Sequence, residues 1–306
     1  MATPLISENF ADLLEPGLRK IFSDQYKALP TMIPSLYTIH TADASYEKVS
    51  SIGAFGDFTD FDASGQITYD DLAQGFDTKV EFKQWVSGFQ VERKLYDDEL
   101  YGVINKKPAG LAISAQRTRE KHGASPFNDA FSATGTSDMT GMDGLSLCNS
   151  AHTSNASSGY TNQSNTGTTA ISATAVEATR RLMVAFTDDR GNKMTVNPDL
   201  LLIPRALEEK AWTIIATKGE VDSAENNANF HYGKYKLAVW DYMSDSNNWF
   251  FIDSTLMGTM LEWYDRIPLE FGQDLSFDTF IAKYRAYMRY GRGWNDWRFI
   301  YGHAVS

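Results

Sequence analysis

The chain has 306 residues, core enough for about two domains, and its 42% hydrophobic and 13% aromatic content excludes wholesale disorder. A formal charge of −11 gives no global attraction to nucleic acid or an anionic membrane, and the single cysteine, Cys148, excludes an internal disulfide. Met1 to Phe10 lacks the basic and apolar regions of a signal peptide, and no window approaches about eighteen consecutive apolar residues, so the chain reads as soluble and used without export.

Phe10, Leu13, Leu14, Leu18, Ile21 and Phe22 share one stripe and predict a helix from Phe10 to Tyr26. Pro30 and Pro34 then break regularity and predict an extended arm. Residues 51 to about 75, rich in Gly, Asp and Phe, read as an exposed loop. From Lys79 onward, Lys79, Glu81 and Lys83 alternate with Val80 and Phe82, the period of a strand. Val91, Leu95, Leu100, Val103 and Ile104 recur every three to five residues and predict an amphipathic helix. Pro108 and Gly110 interrupt it, and it resumes through Glu120 as one long, kinked spine.

Residues 132 to 170 are mostly Ser, Thr, Asn and Gly, without Lys, Arg or Glu. They read as a solvated loop around one apolar island, Leu145-Ser146-Leu147-Cys148. Ile171, Ala175, Ala178, Leu182 and Ala185 restore a helix. The most informative stretch follows: Leu200 to Ile203, apolar on both faces and flanked by Pro198 and Pro204, is too short for a helix and reads as a buried strand. Asp189-Arg190-Gly191-Asn192 is a turn before it. Leu207, Ala211, Ile214 and Ile215 form a helix after it. No catalytic residue type occupies these connections.

From Phe280 to Tyr290 the even positions are apolar and the odd ones mostly cationic, a strand with one face of each kind. Trp297, Phe299 and Tyr301 continue the alternation after a predicted turn at Gly291–Gly293. The stripe of Lys283, Arg285, Arg289, Arg292 and Arg298 suits either phosphates or carboxylates; the acidic balance favours carboxylates such as Asp97-Asp98-Glu99 and Asp70-Asp71.

The sharpest chemical motif runs from Asp60 to Asp71. Counted as a calcium loop it offers oxygens from Asp60, Asp62, Ser64, Thr68 and Asp71, with Gly65 at the bend and Ile67 after it. Asp71 is one methylene short of the usual Glu, and Gly53 and Gly56 make a poor entering helix, so an acidic loop tip is the plainer reading. His40, His122, His152, His231 and His303 have no metal-ligand spacing. Cys148 near His152 suggests a thiol nucleophile, but burial statistics favour a small core cysteine. No hydrolase elbow, phosphate loop or dinucleotide fingerprint occurs, and Gly291-Arg292-Gly293 reads as a hinge. No catalytic, cofactor or metal residue is nominated, and the chain is not read as an enzyme.

Taken in order, the pieces resemble the major head (capsid) subunit of tailed phages, in its Mu-like branch, from about Phe55 onward. Glu92-Arg93-Lys94-Leu95-Tyr96-Asp97-Asp98-Glu99-Leu100-Tyr101-Gly102, Arg117 to His122 and Asn128-Asp129-Ala130-Phe131 are similar to the family's spine helix. Asp143 to His152 resembles the strand after it, Val196 to Ala211 the strand and helix opening the axial domain, and Tyr284 to Gly302 the returning peripheral strand. The resemblance implies an α+β fold of the Hong-Kong-97-type phage capsid kind. Its parts would be an N-terminal arm (1–50), an extended loop (51–90), a peripheral domain (91–192 and 262–306) and an axial domain (193–261).

It also implies a major capsid protein that self-assembles, as pentamers and hexamers, into an icosahedral head around double-stranded DNA. Scaffolding, portal and cement proteins are implied partners, and DNA is enclosed without sequence-specific binding and without a membrane. The implied location is the virion, with host cytoplasm during assembly. Lys79 and Lys83 lie where some relatives crosslink, but no partner is picked out, and with Met1 present no cleaved leading segment is expected. The competing reading is a calcium-binding module at Asp60–Asp71.

Overall fold

The computed structural model describes residues 8–58, 60, 61, 65, 67, 69–92, 94, 102–132, 141–154, 161–219, 228–276 and 281–306. In chain order these form α1 (Glu8–Ala28), α2 (Ile33–Leu36), β1 (Thr38–Thr41), β2 (Tyr46–Ile52), β3 (Gln74–Glu81), β4 (Lys83–Glu92) and α3 (Val103–Asn128). Then come β5 (Thr166–Gly167), α4 (Ala173–Val184), β6 (Leu200–Ile203), a 3-10 turn (Arg205–Leu207), α5 (Glu208–Ala216), β7 (Lys236–Val239) and β8 (Trp249–Ile252). The chain closes with α6 (Ser254–Met260), β9 (Leu261–Ser276), β10 (Ile281–Trp294) and β11 (Ile300–His303). Three sheets result: β1-β9-β10-β4, β5-β11-β8-β6-β7, and the hairpin β2-β3.

β6 is the buried strand that its two-faced apolarity predicts: all four residues are buried, between parallel β7 and antiparallel β8. Alternate side chains enter different cores. Leu200 and Leu202 join Phe250, Ile252, Phe127 and Trp240 on one face, while Leu201 and Ile203 join Trp249, Phe251, Val176 and Ala211 on the other. Helices thus cover both faces, which is why a polar-apolar alternation is absent here. The run Trp249-Phe250-Phe251-Ile252 is buried in the same way. Asp199 fixes the strand's entry by accepting from the Ser254 amide and hydroxyl at 2.8 and 2.7 Å.

The four-stranded sheet is organised by β10. Tyr284, Ala286, Met288 and Tyr290 are buried against α1 and α3, while Lys283 and Arg285 face solvent, as the period of two predicts. Phe280 lies outside the described residues. β9 pairs with β10 through an irregularity opposite Met288, where Pro268 has no N–H for the ladder. α3, at 26 residues, is about 39 Å long. It buries Ile104, Leu111, Ala112, Ala115, Ala124 and Phe127. α1 lays Leu18 and Phe22, one turn apart, over Val91, Ile104, Leu111 and Ala286; the side chains of Phe10, Leu13 and Leu14 lie outside the described residues.

Four expectations are corrected, and a fifth stands. Val91 belongs to β4, where it packs under Leu18, so the helix opens at Val103; Leu95 and Leu100 lie outside the described residues. α3 runs without a break through Pro108 and Gly110 and on to Asn128, since Pro108 is buried in a helix already held by the sheet. Pro34 lies in the helical turn Ile33–Leu36 at a position where a missing N–H costs nothing. The helix expected from Ile171 to Ala185 is α4, with Ala185 as its C-cap and Ala175, Val176, Thr179 and Met183 buried. Gly291 and Gly293 are strand residues of β10: a Cβ on Gly291 would stand 2.6 Å from Phe82 and 3.0 Å from the Glu81 carbonyl, so close approach rather than turning requires glycine.

Candidate functional site

The β2–β3 hairpin carries a long loop whose described side chains join none of the hydrophobic cores. Seven of the fifteen large hydrophobic side chains exposed among the described residues lie between Ile52 and Leu72. Phe58 is 104% exposed and Tyr69 90%, with Phe55, Phe61 and Ile67 all above half. Single exposed apolar residues are ordinary, but this density on one segment marks an interaction surface. The reading of an exposed loop holds. Its phenylalanines as contact residues were not singled out, though aromatics in a Gly- and Asp-rich, aperiodic stretch are the available signal.

A second exposed region lies on the five-stranded lobe. A groove of about 1490 Å³ runs between α4 and α5, lined by Glu177, Arg181, Leu182, Lys210, Ile214 and Phe230. Trp212 on α5 is 66% exposed. Glu177 pairs with Arg180 and Arg181, whose guanidinium groups hold its carboxyl down at about 2.

The Ser/Thr/Asn-rich stretch departs from the solvated reading where it is described. His152 and Asn165 are buried together with the Leu147-Cys148 island. His152 makes hydrogen bonds through both ring nitrogens, Nδ1 with an Asp143 carboxylate oxygen at 2.6 Å and Nε2 with Asn165 Oδ1 at 3.0 Å, and it stacks on Trp297 at 4.3 Å. Asn165 donates in turn to the carbonyls of Leu147 and Ile300. Both nitrogens of His152 are therefore engaged away from Cys148, whose thiol is buried and pushed up by that burial. The nucleophile reading falls, and the core-cysteine reading fits.

The cationic stripe divides. Lys283 and Arg285 project from β10, flanked in register by Asp274 and Gly272 on β9, and Arg289 donates to the Phe82 carbonyl at 3.3 Å. Arg292 turns to the other side and reaches Ser125 on α3, while Arg298 is buried on Asp296 and the Thr187 carbonyl. Only the first three share the outer face. Of the acidic groups, Asp70 is already held by the Gly56 amide and by Arg190, which keep its carboxyl below the usual range. Asp97, Asp98 and Glu99 lie outside the described residues.

Asp62, Ser64 and Thr68 of the calcium-like loop also lie outside them. Among the described residues no group of His, Cys, Asp and Glu is placed to hold a metal, and no helix is long and apolar enough to cross a membrane.

Residues 76–302 match the family described as Phage capsid protein. No curated protein matches the chain. Among solved structures, the mature capsid of bacteriophage PhiM1 aligns at a TM-score of 0.61 and 7% identity, over 91% of this chain and 88% of that one. The capsid of Cyanophage P-SCSP1u aligns at 0.58 and 11% identity, over 90% and 88%. The procapsid of bacteriophage JBD30 aligns at 0.54 and 13% identity, over 98% and 77%. At these identities the likeness is one of fold.

Proposed function

The chain belongs to the phage capsid protein family, whose role is structural rather than enzymatic, and from that premise we propose that it is the major capsid subunit of a tailed phage. Many copies tile an icosahedral head, as pentamers and hexamers, around double-stranded DNA. The observation that carries this reading is the set of seven large apolar side chains from Ile52 to Leu72 that stand exposed on one loop. Permanent interfaces of about 2,000 Å² or more are built from surface of that kind. The charge of −11 also suits a container, because a wall that gripped phosphates would oppose packing.

In this reading residues 1–50 form the arm, 51–90 the extended loop, 91–192 with 262–306 the peripheral domain, and 193–261 the axial domain. The Mu-like branch is the proposed subfamily. Scaffolding, portal and cement proteins are proposed partners, DNA is held without sequence-specific contacts, and the virion is the destination after assembly in host cytoplasm. Electron microscopy of the purified protein, alone and co-expressed with its scaffold, tests this. Shells are expected, and their yield should fall when Phe58 and Tyr69 are both changed to Ser while the subunit's melting stays in place. Monomers or small closed rings under every assembly condition would overturn it.

A further inference from the structure

The exposed loop is held at its base by one turn of its own subunit. Asp188 shapes that turn, accepting from the Arg190 and Asn192 amides at 2.8 Å each. The turn presents Asp189 and Arg190 to both legs of the loop. On the outgoing leg the Ala54 amide donates to Asp189 at 3.0 Å. On the returning leg Arg190 grips Asp70 through two nitrogens, at 2.8 and 3.0 Å, and donates to the Asp71 carbonyl at 3.0 Å. Asp70 then reaches across to the Gly56 amide at 2.8 Å, joining leg to leg. Gly56 permits this closeness: a Cβ there would stand 3.2 Å from Asp70 and 3.3 Å from Arg190. Phe58, Phe61, Ile67 and Tyr69 all lie beyond the clamp and stay exposed.

We propose that the Asp188–Asn192 turn is a bracket that pre-orders the two legs of the loop in the free subunit, so that Phe58 and Tyr69 are offered to a second copy of this chain from a base already set. A loop ordered only on contact charges its ordering entropy to the interface; a bracketed loop has met that cost beforehand. The bracket covers none of these four side chains, so it presents them and does not hold them back. The identity of the second copy rests on the capsid reading above.

Amide hydrogen exchange on the unassembled subunit, beside light-scattering measurement of the threshold concentration for shells, tests it. Arg190→Gln should speed exchange of residues 54–56 and 70–72 about fivefold, the scale of a partly exposed charged pair, and raise the threshold by a similar factor. Arg190→Lys should fall between, keeping charge but losing the two-pronged grip. Gly56→Leu should repeat the effect by crowding, with no charge changed. Unaltered exchange in Arg190→Gln and Gly56→Leu overturns the bracket. Faster exchange with an unchanged or lower threshold overturns its presenting role. Failure of the wild-type protein to form shells at all removes the capsid reading instead, and shows itself without any variant.

Discussion

Two buried polar residues carry more of this structure than their chemistry advertises. Glu120, on α3, is 3% exposed and accepts from Thr31, the Met32 amide, Gln116 and the Trp240 indole. One carboxylate thereby ties the segment after α1, the long helix and the lobe of the five-stranded sheet. Glu120→Ala strands several buried donors at once, and unfolding in urea should show a loss on the order of 2–4 kcal/mol. Glu120→Gln, which keeps an acceptor, should lose less. His303 is the second. Burial holds its imidazole down at about 4 from the ordinary 6.5. Its Nδ1 accepts from the Thr169 amide, Nε2 contacts the Thr179 hydroxyl, and its ring stacks on Trp249 at 4.2 Å. The unfolded chain takes up this proton near pH 6.5 and the folded one does not. Stability is therefore full above that pH and falls as pH drops toward 4, by on the order of 3 kcal/mol from this site. His122, held at about 4 by burial and then by Arg292 and Lys83, acts in the same sense. Urea titrations at pH 7 and pH 4.5 check the sign, and His303→Gln should flatten part of the slope. Neither network was legible in the sequence, because Glu120 and Trp240 are 120 positions apart and Thr169 and His303 134.

At the scale of elements, legibility followed how far a segment's neighbours agree with its local pattern. β10 has one covered face and one open face, so its alternation announces it. β6 has two covered faces, so unbroken apolarity between prolines does. Trp249-Phe250-Phe251-Ile252 carries the same signal without the prolines and was passed over. The start of α3 was misplaced because Val91 lies near the end of a strand and Val103 opens a helix, yet both are apolar at a spacing a helix would use. The Gly291 error has a direct test. A hinge glycine would tolerate alanine at little loss, whereas a close-contact glycine would not. Gly291→Ala should force Phe82 and the Glu81 carbonyl away from β10 and lower stability by about 1–3 kcal/mol in chemical unfolding. A loss below about 0.5 kcal/mol would restore the hinge.

For the whole molecule, the surfaces left open divide into an apolar loop, a groove with Trp212 beside it, and the cationic face of β10. In the proposed shell such a subunit would lie among many copies of itself, and the cationic face then has two uses to tell apart. Asp70 is committed to Arg190 and Asp274 lies in register beside Lys283, so carboxylates across a subunit boundary are the proposed partners for Arg285. Breaking a desolvated interfacial pair from one side costs on the order of 2–5 kcal/mol. Arg285→Glu should impair shell formation while circular dichroism and melting of the subunit hold. Normal shells with less DNA inside would assign the face to phosphate. The order of strands in the larger sheet has a consequence for synthesis. β11 lies between β5 and β8, so residues 166–167 and 249–252 wait for residues 300–303 before the sheet can close. At ordinary elongation rates that wait lasts about 2–10 seconds after β8 is made. A ribosome that stops within it releases a chain whose Phe250 and Ile252 lack the cover of Ile300, so a subunit missing only its last few residues is left with an open sheet edge and an uncovered core.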